Sequence, residues 1–369
     1  MIHGDRVRQV RELHRMTQAD LVSEVHGLTQ PKLSRIEKGL LEPDAETVAM
    51  IAASSGVTPG FFNRESTSSI QALSPQFRAR NRLNQVDKNA AQRWAELILE
   101  AYEQLALGSS PIRQALQRME NADPAHMAME FRKILGFDST SPLPYLLLAV
   151  ERLGVSVVGL PIQLPTMDAF SAWNANTPII AVLSGTPGDR LRFSVAHELG
   201  HLVLHDRLER RPELEMEADA FASELLLPRD IAFQVIPSTA TLSTLVMLKG
   251  RWGVSVKSLV YRARSLKLMP EERCISLYKQ ISARGWNKSE PGFVPSEKPR
   301  AFRKLAEMRY GFGPNIERMA LDLNWSQGLL QQVLDQHSAA SELPFEGPLP
   351  DRQTYDNVVK LDSARRFGT

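Results

Sequence analysis

The chain has 369 residues, with 44 Lys and Arg against 42 Asp and Glu; the net charge of +2 is too small to argue for nucleic acid by itself. Its 43% hydrophobic and 23% charged residues are ordinary for a globular protein, and the length exceeds one ordinary core, so more than one domain is expected. The one cysteine, Cys274, excludes an intrachain disulfide and a cysteine-rich metal site, and no apolar run approaches the roughly 18 residues of a membrane span.

The start, MIHGDRVRQVREL, lacks the apolar stretch of a signal peptide, so a cytoplasmic location and no membrane partner are expected. Residues 1 to 63 carry short helical patterns. Val7, Val10 and Leu13 are at helical spacing. Thr17 reads as an N-cap with Asp20 completing a capping box, and Thr29 as the next N-cap, with Pro31 in the first turn. Gly39 is placed to end that helix, and Pro43-Asp44 to start another. The Ser-, Thr- and Gln-rich stretch from 64 to about 75 reads as a linker that lets its neighbours move. Residues 76 to 137 read as helical, with Trp94, Leu97, Ile98 and Tyr102 as an apolar stripe and a break at Ser109-Ser110-Pro111.

A helix over 143 to 153 precedes a change of texture. Val155 to Val158 and Ile179 to Leu183 are strand candidates. Pro187-Gly188-Asp189 opens a helix that runs to His205, and helical texture returns from 214 to 284. A loop with Pro291, Pro295 and Pro299 leads to further helices up to about 340 and a tail expected to be disordered.

The chemistry concentrates in His197-Glu198-Leu199-Gly200-His201. Residues four apart share a helix face, so His197 and His201 can aim two imidazoles at one zinc ion, while Glu198 lies about 100° away and can serve as general base on a metal-activated water. A third protein ligand is needed. Glu215 and Asp219 are also four apart; Glu215 is assigned as that ligand, with Glu217 as the alternative, and Asp219 as acceptor of a ligand histidine's free N–H. His205 continues the series and is expected to pack or hydrogen-bond beside the site. The strand at 177 to 183 is a candidate for pairing with a substrate backbone, with an ordinary core strand as the alternative.

Thr17-Gln18-Ala19-Asp20-Leu21 followed by Leu28-Thr29-Gln30-Pro31-Lys32-Leu33-Ser34-Arg35-Ile36-Glu37-Lys38-Gly39 resembles the Xre and lambda-repressor type of helix-turn-helix. The resemblance implies a five-helix DNA-binding domain. Thr29 to Lys38, including Lys32 and Ser34, would form its recognition helix. Gln30, Pro31 and Arg35 would face base edges, and Gln18 and Lys38 phosphates. Arg and Gln are the side chains that read guanine and adenine. Residues 1 to 60 hold seven Lys and Arg against eight Asp and Glu, so phosphate neutralisation would be local.

Arg192 to His201, taken with Glu215 to Pro228, resembles the ImmA/IrrE metallopeptidase family over about 145 to 292. That implies a zincin-like fold with a small sheet, one zinc per chain and cleavage of a repressor-like protein. The expected fold class is mainly α with a small β-sheet. The expected domains are a helix-turn-helix over 1–63, a linker and helical segment over 64–140, the metallopeptidase over 141–292 and a helical C-terminal extension over 293–369. The reading is a DNA-binding regulator, with a double-stranded operator and a homodimer among its expected partners, whose zinc endopeptidase cleaves a repressor or itself. The alternative is a regulator or antitoxin whose zinc-site domain serves sensing or structure without proteolysis. An intact Glu198 favours the first, because a structural site needs no base.

Overall fold

The computed structural model describes residues 1–67, 70–72, 84–107, 122–205, 213–312 and 314–338. The expected break at Ser109-Ser110-Pro111 and the expected disordered tail lie outside these residues. Among the described residues sixteen α-helices surround a four-stranded sheet, so the chain is mainly α with a small β-sheet. None of these helices is long and apolar enough to cross a membrane.

The N-terminal bundle comprises α1 (Gly4–Leu13), α2 (Gln18–Glu24), α3 (Gln30–Glu37) and α4 (Ala45–Ser55). A 3-10 turn over Pro59–Asn63 stands where a fifth helix was expected. The caps are those the residue types dictate. Thr17 and Asp20 make a reciprocal capping box on α2, and Thr29 and Asp44 accept from Lys32 N and Thr47 N at the starts of α3 and α4. The Thr17 hydroxyl and then the Thr17 N–H hold the Asp20 carboxyl below the usual range, and the Thr47 N–H does the same for Asp44.

Next come β1 (Gln71–Ala72), α5 (Gln85–Ala106), α6 (Pro124–Ile134) and α7 (Leu146–Arg152). The stripe of α5, Trp94, Leu97, Ile98 and Tyr102, is buried as its spacing requires. The strands β2 (Ser156–Leu160), β3 (Ala169–Asn174) and β4 (Thr177–Leu183) follow, in spatial order β1-β3-β4-β2. β2 and β4 are parallel, and β3 and β4 form an antiparallel pair with Ser171 opposite Ile180. Because β4 has a partner on each side, the expectation that it pairs with a substrate backbone is corrected: its N–H and C=O groups already belong to ladders. β3 was not anticipated. Its run Ala169-Phe170-Ser171-Ala172-Trp173 contains no β-branched residue, and pairing with β4 makes it a strand.

Alternation divides the sheet between two cores. Val157, Ala169, Trp173, Ile180 and Val182 face a core with α8 (Gly188–Leu204), α9 (Glu213–Leu226), α10 (Arg229–Val235), α11 (Leu242–Trp252), α12 (Val256–Ser265) and α13 (Glu271–Ala283). Val158, Leu160, Phe170, Ala172, Ile179 and Ala181 face the other core. It contains α5, the N-terminal bundle, α14 (Ala301–Tyr310), α15 (Ile316–Leu323) and α16 (Gln327–Gln336). The bundle is therefore docked rather than suspended. Arg6 pairs with Glu100 in a buried salt bridge, Arg93 with Glu12, and Arg15 with Asp87. Ile70, in the polar stretch after the bundle, is buried in the same core.

Candidate metal centre

α8 crosses the sheet against β3 and β4, and α9 packs along it. Gly200 permits that approach: a β-carbon there would meet Ala218 Cα at 3.2 Å and the Phe221 ring at 3.2 Å. Phe221 is fully buried and stacks edge-on against Phe131 at 5.8 Å between ring centroids. The seam is braced by buried charges, each with a partner. Arg192 pairs with Glu297 and donates to the carbonyls of Gly253 and Leu143, and Arg262 pairs with Glu224. Arg132 donates to the carbonyls of Leu225, Asp138 and Ser141, and burial lowers its pKa to about 10.

This packing brings His197, His201 and Glu215 together, with one ligand atom of each within 4.8 Å of the others. The Nε2 atoms of the two histidines are 3.0 Å apart, and the Glu215 oxygens lie 3.4 Å from His197 Nε2 and 3.5 Å from His201 Nε2. Two nitrogens and a carboxylate at these separations approximate the edges of a tetrahedral shell, roughly 3.3 Å for bonds of about 2.0–2.1 Å, so the donor set fits zinc.

The hydrogen bonds behind these atoms select the tautomers a metal requires. His197 Nδ1 lies 2.8 Å from Asp219 Oδ1, so the Nδ1–H donates outward and Nε2 faces the centre. His205 Nε2 lies 3.0 Å from Glu217 Oε2, and His205 Nδ1 lies 2.9 Å from His201 Nδ1. A donor to Glu217 at one end of this chain leaves His205 Nδ1 as acceptor, so the proton of His201 lies on Nδ1 and its Nε2 faces the centre too. Glu217 is thus directed at His205, and Glu215 is the carboxylate at the centre. Burial alone would hold the His197 imidazole neutral. Hydrogen bonds to Asp219 and Glu215, with the charges of Glu198 and Asp219, push its pKa up to about 10.

Glu198 points to the sheet. Its Oε2 accepts from Ser171 N at 2.8 Å and Ser171 Oγ at 2.6 Å, and both residues are buried. Ser171 was missed by sequence reasoning because its run, Ala169-Phe170-Ser171-Ala172-Trp173, has no β-branched residue to mark it as a strand. The partner role of Glu217 was missed because spacing cannot show which acid reaches His205.

The nucleic-acid candidates lie elsewhere. Thr29, Gln30, Pro31, Arg35 and Lys38 are exposed along α3 and its end. Ser34 and Lys32 are half-buried, and Lys32 lies 3.5 Å from Asp44. Gln18 donates to Glu37 Oε2 at 2.9 Å, and Arg11 holds the same carboxylate at 2.6 Å. The Gln18 amide therefore braces α2 on α3 in this state rather than projecting outward.

Residues 150–264 match the Peptidase_M78 family, described as the IrrE N-terminal-like domain. No curated protein matches the chain. Among solved structures it is similar to Bacillus thuringiensis PlcR in complex with the peptide PapR7 and DNA, at 13% identity over 78% of this chain and 97% of that one. The TM-score of 0.15 carries no argument about fold or function. What the chain contains is an IrrE N-terminal-like segment, built around the convergence of His197, His201 and Glu215.

Proposed function

We propose that this chain is a DNA-binding regulator whose IrrE-like domain is a zinc-dependent endopeptidase acting on a regulatory protein. The observation that carries the reading is the convergence of His197 Nε2, His201 Nε2 and the Glu215 carboxylate, with Glu198 on the adjoining helix face. These three residues would hold one zinc per chain. Zinc held there supplies Lewis acidity to the reaction. Asp219 and the His205–Glu217 pair keep both imidazoles in the liganding tautomer. Ser171 fixes the direction of the Glu198 carboxylate, which takes up a proton in hydrolysis and returns it to the leaving amine.

The DNA half of the reading rests on α2 and α3. The capping box, the exposed face of α3 and the Arg11–Glu37–Gln18 brace support a helix-turn-helix with Gln30, Pro31 and Arg35 toward base edges, Lys38 toward phosphate, and a homodimer on a palindromic operator.

Two assays test the two halves. Zinc-loaded wild type should cleave fluorescein-labelled casein, and Glu198→Gln should keep its zinc while cleavage falls by about 10²–10⁴-fold. Equal cleavage by both proteins would remove Glu198 from the chemistry. In mobility shifts on the promoter upstream of its own gene, Arg35→Ala should cost about 1–3 kcal/mol and relax discrimination. Unchanged affinity and specificity would remove α3 as the reading helix.

A further inference from the structure

We infer that the exposed face shared by α12 and α13, carrying Lys257, Tyr261, Arg264, Ile275, Tyr278 and Lys279, binds an acidic segment of the protein on which the zinc site acts. This rests on the peptidase reading above and names the chemistry of the substrate that reading lacks.

Charge is unevenly spread along the chain. Residues 242–288 hold ten Lys and Arg against two Asp and Glu, in a chain of net charge +2, so the remainder is net negative. Two of the ten are buried and paired, Lys249 with Asp189 and Glu290, and Arg262 with Glu224. The other eight reach solvent. Among the described residues, Arg264 is the one of these eight with a carboxylate partner, Glu271 at 2.9 Å. A surface of one sign gathers ligands of the opposite sign and rejects those of its own.

Helix spacing collects cations and rings on one face. On α12, Lys257, Tyr261 and Arg264 fall at i, i+4 and i+7 and are exposed, while Val256, Leu259, Val260 and Ala263 are buried. The Arg264–Glu271 pair sets the start of α13 against the end of α12. Ile275 and Tyr278 follow Glu271 at i+4 and i+7, Ile275 exposed and Tyr278 half-buried, while Cys274, Leu277 and Ile281 fill the core. Lys279 is exposed next to Tyr278 in the chain. Burial raises the Tyr261 and Tyr278 phenols above their usual pKa, so both remain hydrogen-bond donors at neutral pH. Lys, Arg and Tyr all donate to carboxylate oxygens, and Ile275 gives an apolar neighbour a place to pack.

The face adjoins the metal centre. Arg262 pairs with Glu224 and donates to Leu227 O at 3.1 Å, which pins α12 to α9, the helix carrying Glu215 and Asp219. The charge of Asp219 reaches the Tyr261 phenol. The candidate DNA-reading bundle packs in the core on one side of the sheet, and α12 and α13 belong to the core on the other. DNA held on α3 has the sheet between it and this face. A protein chain drawn through the zinc site passes beside it.

The test uses the full-length, zinc-loaded Glu198→Gln protein, so that binding is read without turnover. The probes are two fluorescein-labelled tetradecapeptides with a central Leu-Leu, one with glutamates on both sides and one with lysines in their place, read by anisotropy. The glutamate peptide should bind about tenfold or more tightly, and the difference should shrink as salt rises from about 50 to about 500 mM. Adding Lys257→Glu and Lys279→Glu, both at exposed positions, should reverse the order, and in the active protein the same pair should raise KM for the glutamate peptide rather than lower kcat. Equal binding of the two peptides, or an unchanged order in the charge-reversed protein, would overturn the inference. So would displacement of the glutamate peptide by random-sequence duplex DNA at equal concentration, which would assign the face to nucleic acid. Preference for the glutamate peptide without casein cleavage supports the face while refuting proteolysis, and casein cleavage without that preference does the reverse.

Discussion

The two faces of the small sheet are both buried and hold their polar groups in different ways. On the α8 face, the titratable groups of the site are drawn inward onto directed partners: His197 on Asp219, His201 on His205, Glu198 on Ser171. On the other face, buried polar groups such as Arg6 and Glu100 fasten the N-terminal bundle to α5, and the candidate reading residues of α3 point away into solvent. Buried chemistry declares itself through its partners, because an unpaired polar group inside a protein is costly. A recognition surface declares itself only by display, and its roles wait on the ligand.

The comparison can be broken most strongly at the seam of α8 and α9. Phe221→Ala removes a fully buried ring from beneath the metal centre and should cost about 3–5 kcal/mol, read as a lowered denaturation midpoint with weakened zinc retention. A loss below about 1 kcal/mol would mean the seam does not hold the site together.

A pH effect should appear on the other face. His337 Nδ1 donates to Val333 O at 2.7 Å and Nε2 accepts from Gly159, so only the neutral ring satisfies both. Burial, opposed by the Val333 bond and aided by Lys298, lowers its pKa from 6.5 to about 4. A folded-state pKa below the unfolded one means the unfolded chain binds the proton first. Stability is full above about 6.5 and is lost as pH falls toward 4. Between pH 7 and 4.5 wild type should lose about 2–3 kcal/mol relative to His337→Gln in chemical denaturation. Parallel losses in the two proteins would remove His337 as the cause.

The smallest effect sharpens the contrast. Asp219→Asn keeps a hydrogen-bonding group beside His197 and removes its charge, so zinc affinity should fall by about 10–100-fold in chelator competition with the fold intact. Unchanged affinity would make the Asp219 contact incidental.

Much of this was legible in the sequence, for physical reasons that differ by element. The four-residue spacings of His197 with His201 and Glu215 with Asp219 have one geometric meaning on a helix, and the structure realises both. The caps at Thr17, Thr29 and Asp44 were legible because each is a local bond between near neighbours. β3 was not legible, since Ala, Ser and Trp at 169–174 become a strand only through a long-range partner. With β3 hidden, Ser171 was hidden too, and the sequence leaves 177–183 open between a substrate-pairing strand and an ordinary core strand. The polar stretch at 64–67 reads as a linker by composition, yet Glu100 and Arg6 bind it; such contacts join residues too distant in the chain for periodicity to connect.

The central claim is that His197, His201 and Glu215 hold a zinc ion on which Glu198 acts without being a ligand. Zinc titration of wild type, His197→Ala and Glu198→Gln under chelator competition tests it directly. The account requires about one zinc per chain in wild type, loss of most binding in His197→Ala and retention in Glu198→Gln. Loss of zinc from Glu198→Gln as complete as from His197→Ala, or no zinc in wild type, would contradict it.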